Sequence, residues 1–211
     1  MHRGLLRAAF VQAGALIPLV PLIALSGLSV VAAGSEATGQ QPIDTARSTL
    51  TVFVYKSGLF SAFADDHVIR APIASGSLDE NAPARVEISV HAADLTVTDP
   101  SLAADRRAEV QAKMVSADVL DVARFPEITF TSNSIHATRP DRWTVSGRLT
   151  LHGQTRDVTF PVSRRDAVYR GEAQIKQRDF GIEPIRIAGG TVKVKDEIKV
   201  AFEIYTAATK E

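Results

Sequence analysis

Beyond the N-terminal segment the chain has four histidines, at positions 67, 91, 136 and 152, and these are the residues whose types could do chemistry. Asp66-His67 is the sharpest pairing. Imidazole titrates near neutrality, and a nearby carboxylate can orient it as a general base or a metal ligand. Neighbours in extended chain point apart, however, so the pair also reads as a loop histidine beside turn-forming aspartates. No two histidines stand four residues apart, the spacing by which a helix gathers zinc, so a metal would need ligands collected from separate strands. His152 lies in Leu-His-Gly-Gln-Thr, where turn chemistry accounts for it. The chain has no Gly-x-Ser-x-Gly, no phosphate-cradling glycine loop and no dinucleotide fingerprint. The expectation is a binding protein and not an enzyme, with no catalytic set, no metal and no cofactor.

The elements that must position any site are strands. Arg148 to Ser163 reads RLTLHGQTRDVTFPVS: Leu149 and Leu151 alternate with polar residues before His152-Gly153-Gln154, and Val158, Phe160 and Val162 do so after it. Period-2 alternation on both sides of a short glycine-containing connection means two antiparallel strands, each with one dry face. Further strands are expected at Ser48–Lys56, Ile73–Leu78, Arg85–His91, Glu127–Ile135, a segment from Trp143, Val168–Phe180 and Val192–Tyr205, with turns at Arg139-Pro140-Asp141 and Gly189-Gly190. One helix is expected over Leu102–Met114, with Asp99 as its N-cap and Pro100 beside it, and a second short turn over Ala117–Val122. Phe125-Pro126 ends the helical region. This set predicts a mainly β fold, an antiparallel eight-stranded lipocalin-like β-barrel with one or two short helices at one end.

Arg3 and Arg7 precede an apolar run from Ala8 to Ala33 that contains no charged residue, followed by Val31-Ala32-Ala33-Gly34 as a cleavage context. Residues 1–34 therefore read as an export signal peptide, with an uncleaved N-terminal anchor as the rival reading. Residues 35–41 read as a flexible leader and 42–207 as one domain. Without Arg3 and Arg7 the balance is 22 basic to 24 acidic residues, which argues against a nucleic-acid partner. With no cysteine, neither disulfides nor a lipidated cysteine can hold the protein in place.

Three segments carry a family likeness: RLTLHGQTRDVTFPV, Val115 to Ser132 (VSADVLDVARFPEITFTS) and Lys176 to Ile182 (KQRDFGI), with Ile43-Asp44, Ser48 and Gly58-Leu59 in matching places. In that order and at those separations they resemble the YceI-like domain, from Pro42 to Ala207. The resemblance implies an exported, periplasmic barrel that holds a polyisoprenoid or another long amphiphile, with the helix across an open end. The chain departs from the family's habit at Asp105-Arg106-Arg107-Ala108-Glu109-Val110, at Asp65-Asp66-His67 and at Gly189-Gly190-Thr191-Val192.

The expected ligand-binding set is Val52, Val54, Ile88, Phe130, Leu149, Phe160 and Phe202 on the inner wall, and Phe60, Phe63 and Phe180 near strand ends where a mouth would open. His67 joins it as the one polar candidate. Arg106-Arg107 reads either as a greeter for an anionic headgroup or as a solvated helix face. Partners are then an amphiphilic lipid or isoprenoid, with transient membrane contact and a homodimer left open. A second reading has the core filled with side chains and the barrel acting through its outer face, with Phe53 and Tyr55 as contacts in envelope stress response or protein interaction.

Overall fold

A computed structural model describes residues 40–57, 66–81, 83–187 and 192–207. The segment expected to be an export signal, and the positions Phe60, Phe63 and Gly189-Gly190, lie outside the described residues. Within them the chain forms a curled antiparallel sheet with one α-helix.

The strands are β1 (Gln40–Pro42), β2 (Thr49–Ser57), β3 (His67–Arg70), β4 (Ser75–Asp79), β5 (Arg85–His91), β6 (Thr96–Val97), β7 (Glu127–Arg139), β8 (Arg142–Leu151), β9 (Gln154–Arg165), β10 (Val168–Lys176), β11 (Arg186–Ile187) and β12 (Val192–Tyr205). The ladder runs β1-β4-β5-β7-β8-β9-β10-β12-β2-β3-β6, and β11 pairs with β12 off this path. The expectation of eight strands and a closed barrel is corrected on both counts. Eleven strands in series leave two ends of the ladder, β1 and β6, so the sheet curls into a half-barrel. The four extra strands, β1, β3, β6 and β11, are two to four residues long, too short to show a period in sequence. Gln40 and Gln41, expected in the flexible leader, pair with Asp79 and Leu78. Beyond β1, Ile43 bridges Thr206 of the last strand's continuation, bracing one end of the curl.

Hairpin tips fix the register. β8 and β9 pair from Arg142↔Ser163 to Leu151↔Gln154, so the connection is the two-residue turn His152-Gly153, both at positive φ. This is the mirror-image turn that matches strand twist. Asp166-Ala167 repeats the device between β9 and β10. The bend expected at Asp196-Glu197 is a bulge, since the β12–β2 register shifts between Val194 and Ile198.

The helix, α1, spans Ala104–Val115, is capped by Ala103 without a side-chain hydrogen bond, and is followed by turns over 117–120 in place of a second helix. Asp99 is not its N-cap. Gln111 ties α1 to the sheet by accepting from Val97 N at 2.8 Å and donating to Leu95 O at 2.8 Å. Met114, Leu120, Leu151, Phe180 and Ile182 form a packed floor at that end.

Candidate functional site

Each long strand buries one parity of its residues, and those parities meet in one apolar cavity of about 400 Å³. Val52, Val54, Ile88, Phe130, Leu149, Phe160 and Phe202 all line it, as their alternation predicts. Phe180 does not. It is 1% exposed in the 3-10 turn Gln177–Phe180 and is packed into the floor, so it closes one end instead of opening it.

Three phenylalanines organise the middle of the wall. The Phe130 and Phe160 rings are 5.4 Å apart and the Phe160 and Phe202 rings 5.5 Å, edge to face or tilted, as ring quadrupoles prefer. They come from β7, β9 and β12, and the strands between supply Gly147 and Gly171. A Cβ on Gly147 would stand 2.6 Å from Phe130 Cζ, and one on Gly171 would stand 2.5 Å from Phe202 Cζ. Glycine there lets each ring lie against the backbone, leaving the space in front of it empty.

The polar side chains gather at the end opposite the floor. Following each inward parity to its last residue leads from Leu78 to Glu80, from Val145 back to Trp143, from Val162 to Arg164, and from Ala173 back to Tyr169; all four line the cavity. Arg164 lies between the Trp143 and Tyr169 rings, 5.7 and 5.8 Å from their centroids. Its guanidinium donates to Asp141 Oδ1 at 3.1 Å and to Glu80 Oε1 at 3.3 Å, and Tyr169 donates its hydroxyl to the same Glu80 oxygen. Glu80 follows β4 while Arg164 and Tyr169 flank the β9–β10 tip, so these bonds cross the mouth between strands that are not neighbours. The side chains of Arg164 and Glu80 are 37% and 47% exposed, which places them at the solvent boundary. The sequence reading missed this cluster, although the parity signal was present: the dry face of β9 simply continues onto an arginine.

His67 is not on the cavity wall. It donates from Nδ1 to Asp99 Oδ2 at 2.6 Å, from a position 32 residues away in sequence, and Val68 N donates to the other oxygen of Asp99. Asp99 is fully buried and the His67 side chain is 14% exposed. Arg107 closes over the pair by donating to Asp99 O at 3.0 Å. The partner of His67 is thus Asp99, while Asp66 accepts from Lys56 N. Among the described residues no group of three or more His, Cys, Asp or Glu is placed to hold a metal ion. Arg106 points to solvent with Glu109, at the floor end, as the solvated-face reading has it. His152 stacks edge-on against Phe125 at 4.5 Å, and its Nδ1 meets Phe180 O at 3.1 Å, so it is part of the floor's packing.

A curled antiparallel sheet with a largely apolar hollow and its charged groups at the rim defines a class of small β-domains built around an apolar interior. Residues 42–206 match the YceI-like domain, and the chain belongs to that family. A UPF0312 protein of Pseudomonas putida is 35% identical over 86 residues, 36% of this chain and 45% of that protein. The YceI protein of Salmonella arizonae is 36% identical over 85 residues, 36% of this chain and 44% of that one. The chain thus spans less than half the length of these curated relatives. The crystal structure of BcnA from Burkholderia cenocepacia superposes with a TM-score of 0.61 at 18% identity, covering 79% of this chain and 99% of BcnA, a likeness of fold.

Proposed function

We propose that this domain is a periplasmic binding or carrier protein that holds a polyisoprenoid or another long-chain amphiphile in its cavity, and that it works by binding and not by catalysis. The observation that carries the reading is an apolar cavity of about 400 Å³ running from the floor at Met114 and Ile182 to the rim at Arg164. A volume of this order falls in the range of small-molecule sites. A chain that buries about 500 Å² of apolar surface gains roughly 12 kcal/mol at about 25 cal/mol per Å². Association costs of about 4 kcal/mol at the low end leave a micromolar complex. The export-signal reading of residues 1–34 supports a periplasmic location, where an apolar guest needs a shield from water.

The outer-face reading has less support. Phe53 and Tyr55 are half-buried under lysines, with Lys199 Nζ 4.7 Å from the Phe53 ring and Lys195 Nζ 5.7 Å from that of Tyr55, so they do not form a bare apolar patch. Gentle purification from the envelope fraction followed by native mass spectrometry tests the carrier reading. A reproducible adduct that solvent extraction releases as a lipid supports it. Protein that is lipid-free from the native host, and that takes up no added isoprenol or fatty alcohol, overturns it.

A further inference from the structure

The cavity's rim has a chemistry of its own. Arg164 is the cation on the cavity wall among the described residues, and Asp79 and Glu80 line the same end. Its guanidinium is already committed to Glu80 and to Asp141 just outside. The arginines Arg142, Arg165 and Arg170 line an adjoining polar groove on the hairpin tips, which shares Arg164 with the cavity and also holds Asp141 and Asp166, and Arg170 is paired with Glu203 at 2.8 Å. A head group arriving at the cavity mouth therefore meets one guanidinium already paired with two carboxylates, those of Glu80 and Asp141, and the Tyr169 hydroxyl. We propose that Glu80, Arg164 and Tyr169 form the head-group site of the cavity, and that it selects an uncharged or cationic hydrogen-bonding head over an anionic one.

The inference rests on the carrier reading, since it assigns the ligand's polar end. A neutral head such as an alcohol can insert between Tyr169 and Glu80, accepting the hydroxyl's proton and donating its own to Glu80, while the ion pairs stay in place. An amine gains a direct partner in Glu80. A carboxylate or phosphate must either displace Glu80 from Arg164 or sit beside it, and like charges in contact at a partly desolvated rim are strongly unfavourable. Glu80 is thus a specificity-determining residue that works by repulsion as well as by hydrogen bonding.

Trp143, the chain's sole tryptophan, stands at this rim and reports on it. Dodecan-1-ol, dodecylamine and dodecanoate, matched in chain, are titrated into the full domain at about pH 7.5, where a carboxylate head is ionised, following Trp143 fluorescence and confirming stoichiometry by native mass spectrometry. The alcohol and the amine should bind about tenfold more tightly than the carboxylate. Glu80→Gln, which removes the negative charge and keeps an acceptor oxygen, should tighten dodecanoate at least about fivefold relative to dodecan-1-ol. Equal or tighter binding of dodecanoate, or a Glu80→Gln variant that preserves the ranking, overturns the head-group assignment alone. So does binding seen by mass that leaves Trp143 fluorescence unchanged. No binding of any of the three overturns the carrier reading with it.

Discussion

Removing Asp99 should expose how much of the fold depends on one fully buried carboxylate. Asp99 accepts from His67 Nδ1 at 2.6 Å and from Val68 N, and its own side chain is wholly buried. Hydrogen bonds to charged groups contribute about 1.5–3 kcal/mol each, and breaking a buried pair by removing one partner costs about 3–5 kcal/mol. Asp99→Ala is therefore expected to lose about 3–5 kcal/mol of stability, a fall in Tm of roughly 6–20 °C for a domain of this size. His67→Ala leaves the carboxylate with the Val68 amide alone and should lose about 3 kcal/mol. The double variant removes donor and acceptor together, so it should fall short of the sum of the singles by about 2 kcal/mol. Asp99→Asn keeps an acceptor for Val68 N and should be the mildest of the set. Urea unfolding of the four proteins, with one slope shared across the series, is the assay. Additive single effects, with an interaction under about 0.5 kcal/mol, would refute the pairing as the anchor of β3 against the segment leading into α1.

Other outcomes follow from the same geometry. Gly147→Ala places a methyl 2.5 Å from Thr131 O and 2.6 Å from Phe130 Cζ; it should destabilise by about 1–3 kcal/mol and reduce the lipid carried per protein in native mass spectrometry as the ring swings into the hollow. Val158→Trp fills space on the cavity wall and should abolish lipid loading while keeping Tm within a few degrees; unchanged loading would show that the guest lies elsewhere. Arg178 holds the Glu183 carboxyl below the usual carboxylate range, chiefly by donating hydrogen bonds to it. The stability contributed by this pair is present above the ordinary carboxylate pKa and lost as pH falls through the lowered one. The Glu183 carbon resonance should accordingly titrate at lower pH than in Arg178→Ala, and identical midpoints would mean that the pair is not formed in solution.

The wall was legible from sequence because burial on one face imposes a period of two, and Val52, Val54, Ile88, Phe130, Leu149, Phe160 and Phe202 each sit on an inward parity. The turn at His152-Gly153 was legible for a local reason as well. Asp99 was not, since an aspartate before proline and a helical stretch has the same local signature whether it caps a helix or receives a distant imidazole. The helix itself starts at Ala104, beyond the reach of that side chain. Closure misled for a similar reason. Alternation reports which face is dry but not whether the first and last strands meet, and the two-residue β6 that ends the ladder has no period to read. Glu80 and Arg164 were hidden by chemistry: charged residues at strand ends look like the start of a turn unless parity is carried through to the tip.

The brace at Ile43 has a mechanical consequence. A sheet closed by hydrogen bonds all round has a fixed circumference, because widening it means breaking backbone bonds of about 1 kcal/mol each in series. Here backbone bonds tie the first margin to the end of β12: Ile43 N donates to Gly76 O, Asp44 N to Tyr205 O and Ala207 N to Pro42 O. At the other margin the ladder stops at β6. Girth is therefore pinned beside the brace, and accommodation of a thicker guest falls to the strands away from it.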